Sequence, residues 1–223
     1  MIRRSNRVRR VRIQFRSDGT LEVVAPPGIS DRSIARAVAD AGPWIDRVAA
    51  RRAAIADLGL GEPGVVRVFD RRYPVVRESG RSKIEHGDGV LLVRATDDED
   101  ARRLVRSWYL RVFKDSAVEA VSHEARAMGV SPGRISVREM QTRWGSCNPR
   151  TANMSLNWRL VLAPSAIGRY VVVHELAHLR HANHSEAFWR LVAEHDSEVP
   201  AHRRWLRAHG PQLLAYDPAS AIR

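Results

Sequence analysis

Apolar residues recur along this chain with two periods, and the switches between them mark its elements. Val11, Ile13 and Phe15 alternate with Arg12 and Gln14, and Leu21 to Ala25 forms a second such run. This predicts two half-exposed strands joined by a hairpin turn at Ser17-Asp18-Gly19-Thr20. Ser30 is placed to cap a helix carrying Ile34, Val38 and Ala41, which Gly42-Pro43 interrupts before Trp44, Ile45 and Val48 resume the period. A loop rich in Gly and Pro, from Gly59 to Gly64, leads to short strands over roughly 65–76 and 82–94, the latter folded at Gly87-Asp88-Gly89. Thr96-Asp97-Asp98-Glu99 reads as a capping box that opens a long helix to Met128, closed by Gly129.

The remainder reads as two strands and two helices. Ile135 and Val137 begin one strand, while Met154, Leu156, Trp158, Leu160 and Leu162 alternate along another. A turn, Asn148 to Asn153, lies between them. Pro164-Ser165 then starts a helix in which Ile167, Val171, His174 and His178 follow at spacings of four, three and four. Tyr170-Val171-Val172-Val173 is apolar on every side, as in a helix sunk into the domain. The pattern predicts an α+β chain without internal repeats. Its expected boundary precedes Thr96: a β-rich N-terminal region with one helix pair over 1–95, and a domain over 96–223 with its central helix beside a small antiparallel sheet.

That central helix carries the chemistry. His174-Glu175-Leu176-Ala177-His178 matches H-E-x-x-H, in which imidazoles four apart share one helix face and can reach one metal ion. Glu175 sits about 100° round the helix, placed to accept a proton from water rather than to ligate. A zinc site of this kind needs a third ligand. His181 would lie about 10.5 Å along a straight helix from His174, too far to converge on bonds of about 2.1 Å. His184 can ligate only if the helix ends first. Asn183 tolerates a left-handed closing conformation, and Asn183 or Ser185 can cap the next helix. Glu194 and Glu198 on that next helix are the alternatives.

Four blocks now stand in order: Arg143-Trp144-Gly145-Ser146-Cys147, Ser155-Leu156-Asn157-Trp158-Arg159-Leu160, His174 to His178, and Asn183-His184-Ser185 with Phe188-Trp189. Together they resemble the YgjP-like metallopeptidases, bacterial zincins related to the SprT-like and WLM proteases. Weaker similarity runs upstream through Ala25-Pro26-Pro27-Gly28 and Trp44-Ile45. The resemblance implies a zincin-like catalytic domain with one Zn²⁺ per chain on His174, His178 and His184, and Glu175 as general base. Ala177 and Ala182 stand where Cys and Pro are frequent, and neither side chain is needed for ligation.

Composition narrows the setting. No apolar run reaches 18 residues, no hydrophobic signal segment follows the basic N-terminus, and a lone cysteine, Cys147, excludes an intrachain disulfide. These features predict a cytoplasmic protein without a membrane partner, and a packed Cys147 in a hairpin. The formal charge of +12 raises the question of nucleic acid. Yet 35 of the 37 basic residues are Arg, spread along the chain except for the group from Arg3 to Arg12, which argues against selection for phosphate contacts.

The expected reaction is therefore hydrolysis of a peptide bond in a protein or peptide substrate. Candidate substrate or oxyanion contacts are Asn157, Arg143, Tyr170 and His181, and the Met154–Leu162 strand is expected to receive extended peptide by strand addition. Two rival readings are a DNA- or restriction-associated accessory protease using the basic N-terminal half, and a module in which zinc only braces helices. The second leaves Glu175 without a duty.

Overall fold

The computed structural model describes residues 2–15, 20–57, 60 and 62–222. Packing divides the chain into two compact units, Met1–Asp57 and Leu58–Arg223. Thr96, the expected boundary, lies inside the second unit.

In the first unit β1 (Ile2–Arg4), β2 (Arg12–Phe15) and β3 (Leu21–Ala25) form a sheet of order β1-β3-β2. The second and third strands pair antiparallel as expected, with Ile13 opposite Val23, while the turn that joins them lies largely outside the described residues. The first strand runs parallel to β3; its run of Ile and two Arg carries no alternation long enough to announce it. Val23 and Ala25 bury with Ile34 of α1 (Asp31–Asp40), whose N-terminus is capped by Ser30 as its position predicts. The helix α2 (Gly42–Asp57) follows directly. Two members of the arginine group are engaged inside this unit: Arg3 with the buried Glu22, and Arg4 with Asp31 and the carbonyls of Pro26, Pro27 and Ile29.

The second unit begins with β4 (Val65–Val68), β5 (Arg71–Ser79), β6 (Lys83–Gly87) and β7 (Val90–Ala95), in the order β4-β5-β7-β6. Asp88 and Gly89 both take positive φ, 50° and 74°, and close the tight β6–β7 turn that Gly87-Asp88-Gly89 signals. Leu91, Val93 and Ala95 alternate along β7 and face inward, each buried. Next comes α3 (Asp98–Met128), which buries Val105, Tyr109, Phe113, Ala117, Val121 and Ala125, one residue in every four. Its cap is Asp97, one residue later than the box read from Thr96, because the Asp97 carboxylate accepts from the Asp100 N–H at 2.8 Å. Gly129 ends it at φ 61°, as expected.

A further sheet in this unit holds β8 (Ile135–Arg138), β9 (Gly145–Cys147) and β10 (Met154–Asn157) in the order β8-β10-β9. It is mixed rather than wholly antiparallel, since β8 runs parallel to β10 and only β9 opposes it. Two expectations change here. The long strand stops at Asn157, and Trp158–Leu162 coil into a 3-10 turn buried on all sides; burial all round mimics alternation in the sequence. The turn forms because the Asn157 side chain accepts from the Arg159 N–H. In addition β10 is paired on both sides, so it has no free edge for a peptide. The edge strands are β8 and β9, and β9 is the one packed beside α4 (Ser165–Ala177).

The helix α4 is followed by α5 (Glu186–His195) and α6 (Val199–Leu214), which complete the unit's long elements. Ile167, Tyr170, Val171, Val172, Val173, Leu176 and Ala177 are all buried, as the apolar run predicts for a central helix. Among the described residues no helix is long and apolar enough to cross a membrane.

Candidate metal centre

The helix α4 places His174 and Glu175 in its last turn, and His178 closes it in a right-handed conformation with φ −64°. Arg180 and His181 still reach back to the Ala177 carbonyl before the chain turns away. Asn183 is not among the residues with positive φ, so no left-handed residue ends this helix. Ser185 caps α5 instead, accepting from the Phe188 N–H. The expected break thus occurs, but it comes before Asn183 and by a tightened turn. His184 immediately precedes the new cap and is carried back over α4.

The result is one cluster. Ligand atoms of His174, His178 and His184 all lie within 4.8 Å of one another. The Nε2 atoms of His174 and His184 are 3.1 Å apart. Phe188, fully buried, forms an apolar floor with its ring 5.0, 4.7 and 4.8 Å from the three imidazoles in turn. Trp189 stacks on His184 at 5.5 Å. The alternatives Glu194 and Glu198 are exposed and outside this cluster. His181 also lies outside it, but its carbonyl sits 3.2 Å from His178 Nδ1. That contact engages Nδ1 and leaves Nε2 to face the other rings. Among the described residues no carboxylate hydrogen-bonds the three imidazoles, so this backbone carbonyl does the orienting that carboxylates often do.

These donors suit a zinc-like ion. Two nitrogens bound tetrahedrally at about 2.1 Å stand about 3.4 Å apart, a separation inside the range the three rings span. Burial, then the neighbouring His178 and His184, push His174 down to about 4, so it is neutral and its lone pair free near neutral pH. Burial also lowers His178.

Glu175 is 7% exposed. Burial pushes its carboxyl up to about 7, against the opposing pull of Arg143. The carboxylate lies against Gly145 of β9: a Cβ at that position would stand 2.6 Å from Glu175 Cγ and Oε1. Only glycine allows this approach. Both residues face a cleft of about 250 Å³ shared with Arg143, Trp144, Tyr170, His174 and Leu206. A larger cavity of about 550 Å³, on the α3 side of α4, contains none of the three imidazoles.

The remaining candidates have distinct places. Tyr170 lines the cleft with its ring 6.0 Å from His174, and burial raises its hydroxyl. Arg143 also lines the cleft, from the loop before β9. Asn157 is fully buried and committed elsewhere: its Nδ2 donates to the carbonyls of Met140 and Arg143 at 2.8 and 3.0 Å, and its Oδ1 caps the 3-10 turn. The neighbouring Arg159 donates to Glu139 at 2.8 Å, and Arg106 pairs with the same carboxylate. Asn157 and Arg159 therefore clamp the 139–145 loop that leads into β9. Cys147 is partly buried in the β9–β10 hairpin, and burial followed by the Glu175 charge pushes its thiol up to about 11, so it stays protonated. Sequence reasoning misses Gly145, although Arg-Trp-Gly before a strand is a visible signal. It also misses the carbonyl of His181, for which no local pattern exists.

Two solved structures are similar in part. The metallopeptidase zymogens abylysin of Pyrococcus abyssi and jannalysin of Methanocaldococcus jannaschii share 20% and 18% identity with this chain. Each match covers 41% of this chain and 92% or 93% of the other, with a TM-score of 0.37. No curated protein matches the sequence. The model of the YgjP-like family, metallopeptidase domain, matches residues 9–209, which carry the imidazole cluster and the cleft; the chain belongs to that family.

Proposed function

We propose that this chain is a zinc-dependent peptidase, with His174, His178 and His184 holding one Zn²⁺ and Glu175 acting as general base. The observation that carries the reading is the convergence of three imidazoles, one of which, His174, lines the same cleft as the buried Glu175 carboxylate. When bound, zinc would supply Lewis acidity, lowering the pKa of water towards about 7 and polarising the scissile carbonyl. Phe188 and Trp189 hold the imidazoles in place, and the His181 carbonyl fixes the His178 tautomer. Glu175 Oε takes the proton of the attacking water and delivers it to the leaving nitrogen. Its apolar surroundings favour proton uptake. Tyr170, which lines the cleft with its ring 6.0 Å from His174, is our candidate donor to the developing oxyanion, since Asn157 is occupied.

An extended peptide would lie along β9, the sheet edge beside Glu175, with main-chain pairing giving most of the affinity. Glu175→Gln keeps the shape and removes the base. Zinc content, measured by elemental analysis, should stay near one per chain while peptide hydrolysis falls at least about 10²-fold. Undiminished turnover removes Glu175 from the mechanism, and protein purified without a stoichiometric metal removes the centre itself.

A further inference from the structure

Arg203, Leu206 and Gly210 stand at i, i+3 and i+7 on α6 and so share one stripe of that helix. Leu206 lines the cleft. Gly210 backs onto the Trp144 ring, with a Cβ there falling 3.2 Å from it. Arg203 continues the stripe towards the imidazoles: its guanidinium lies 4.3 Å from the centre of Trp189, the ring stacked on His184. From the loop before β9, Arg143 lines the same cleft as Glu175. Among the described residues neither Arg143 nor Arg203 has a carboxylate within ion-pair distance.

We propose that Arg143 and Arg203 select the substrate class: peptides with acidic side chains within a few residues of the scissile bond. The inference rests on the peptidase reading above and deepens it. Stacking on Trp189 holds the Arg203 guanidinium in place while its edge keeps N–H donors free for a carboxylate. The reach is suitable. With 4.3 Å to Trp189 and 5.7 Å from that ring to His174, the charge sits within about 10 Å of the centre, the span of about three extended residues at roughly 3.3 Å each. Basic peptides would meet two cations of their own sign.

The test uses two fluorogenic peptides identical except for Glu or Gln at the positions flanking the cleavage site. The zinc-loaded enzyme should cleave the Glu peptide about three- to tenfold more efficiently at low salt, a preference that shrinks with ionic strength. Arg203→Glu should abolish or invert the ratio, whereas Arg111→Glu on α3, with the same change of net charge, should preserve it. Affinities of both peptides for zinc-loaded Glu175→Gln, read by fluorescence anisotropy, give a measure independent of turnover. Equal cleavage and equal binding of the two peptides, or a ratio unmoved by Arg203→Glu, overturn this inference and leave the peptidase standing. A protein that cleaves neither peptide yet binds the Glu peptide more tightly supports the charge selection and sinks the peptidase reading instead.

Discussion

The site has two walls built in opposite ways. One is the metal wall, His174 to Trp189, whose parts lie within sixteen residues and are placed by helix periodicity, a tightened turn and the Ser185 cap. The other is the loop–strand wall, Glu139 to Gly145, placed by side chains from other parts of the chain. Asn157 grips two of its carbonyls, Arg159 and Arg106 grip Glu139, and Gly210 of α6 receives Trp144. The difference teaches that a chemical motif can be local while the surface it works against is not. Damage to the first wall should remove the metal, and damage to the second should spare the metal and misplace the substrate or the base.

The largest expected effect falls on the metal wall. His184→Ala should weaken zinc binding by more than about 10²-fold, beyond what loss of an orienting group costs. His181→Ala keeps the carbonyl that orients His178 and should leave occupancy close to wild type. Competition with a chromogenic chelator measures both, and loss of zinc in the His181 variant alone would overturn the assignment.

The junction of the two walls comes next. Gly145→Ala forces a methyl group against Glu175, where it would stand 2.6 Å from the side chain. A displacement of about 1 Å at the base should cost about 10²-fold in kcat/KM while zinc content holds. Steady-state kinetics with parallel metal analysis separates this from unfolding, and full activity would show that Glu175 does not work from this position.

On the second wall, Asn157→Ala leaves two part-buried carbonyls and one buried N–H without their partner, so stability should fall by about 1–3 kcal/mol in urea unfolding. A change below about 0.5 kcal/mol would mean that the clamp does not hold the loop.

The smallest effect concerns pH. Burial disfavours the charge on Glu139, but Arg159 and Arg106 overcome it and hold its carboxyl below the ordinary 4.5. The folded value is depressed, so the ionised group stabilises the fold above 4.5 and loses that contribution as pH falls through the lower folded value. Glu139→Gln should therefore lower Tm at neutral pH, with the gap to wild type closing in acid below 4.5. A gap that does not change with pH would remove the ion pairs from the loop's support.

Much of the metal wall is legible in the sequence. The spacing of His174 and His178, the apolar run before them and a cap signal at Ser185 are short-range features, and short-range geometry is what periodicity encodes. The sequence points to the wrong residue for the helix ending, since hydrogen bonding from Arg180 and His181 to Ala177 tightens the turn without a left-handed Asn183. The strand from Met154 is overextended for a related reason. Burial on every side of Trp158 to Leu162 reads like alternation until the direction of each side chain is known.

By itself the sequence determined the α+β class, the pair His174 and His178 on one helix face with Glu175 beside them, and His184 as one candidate for the third position, because each is read from periods and spacings along short stretches of the chain. Only the tertiary structure decided that β10 is the middle strand and β9 an edge, that the Asn157 side chain grips the loop before β9, and that Arg203 stands over Trp189. Those facts depend on contacts between residues well separated along the chain. Such contacts are chosen by the packing of whole elements, and no local period records them.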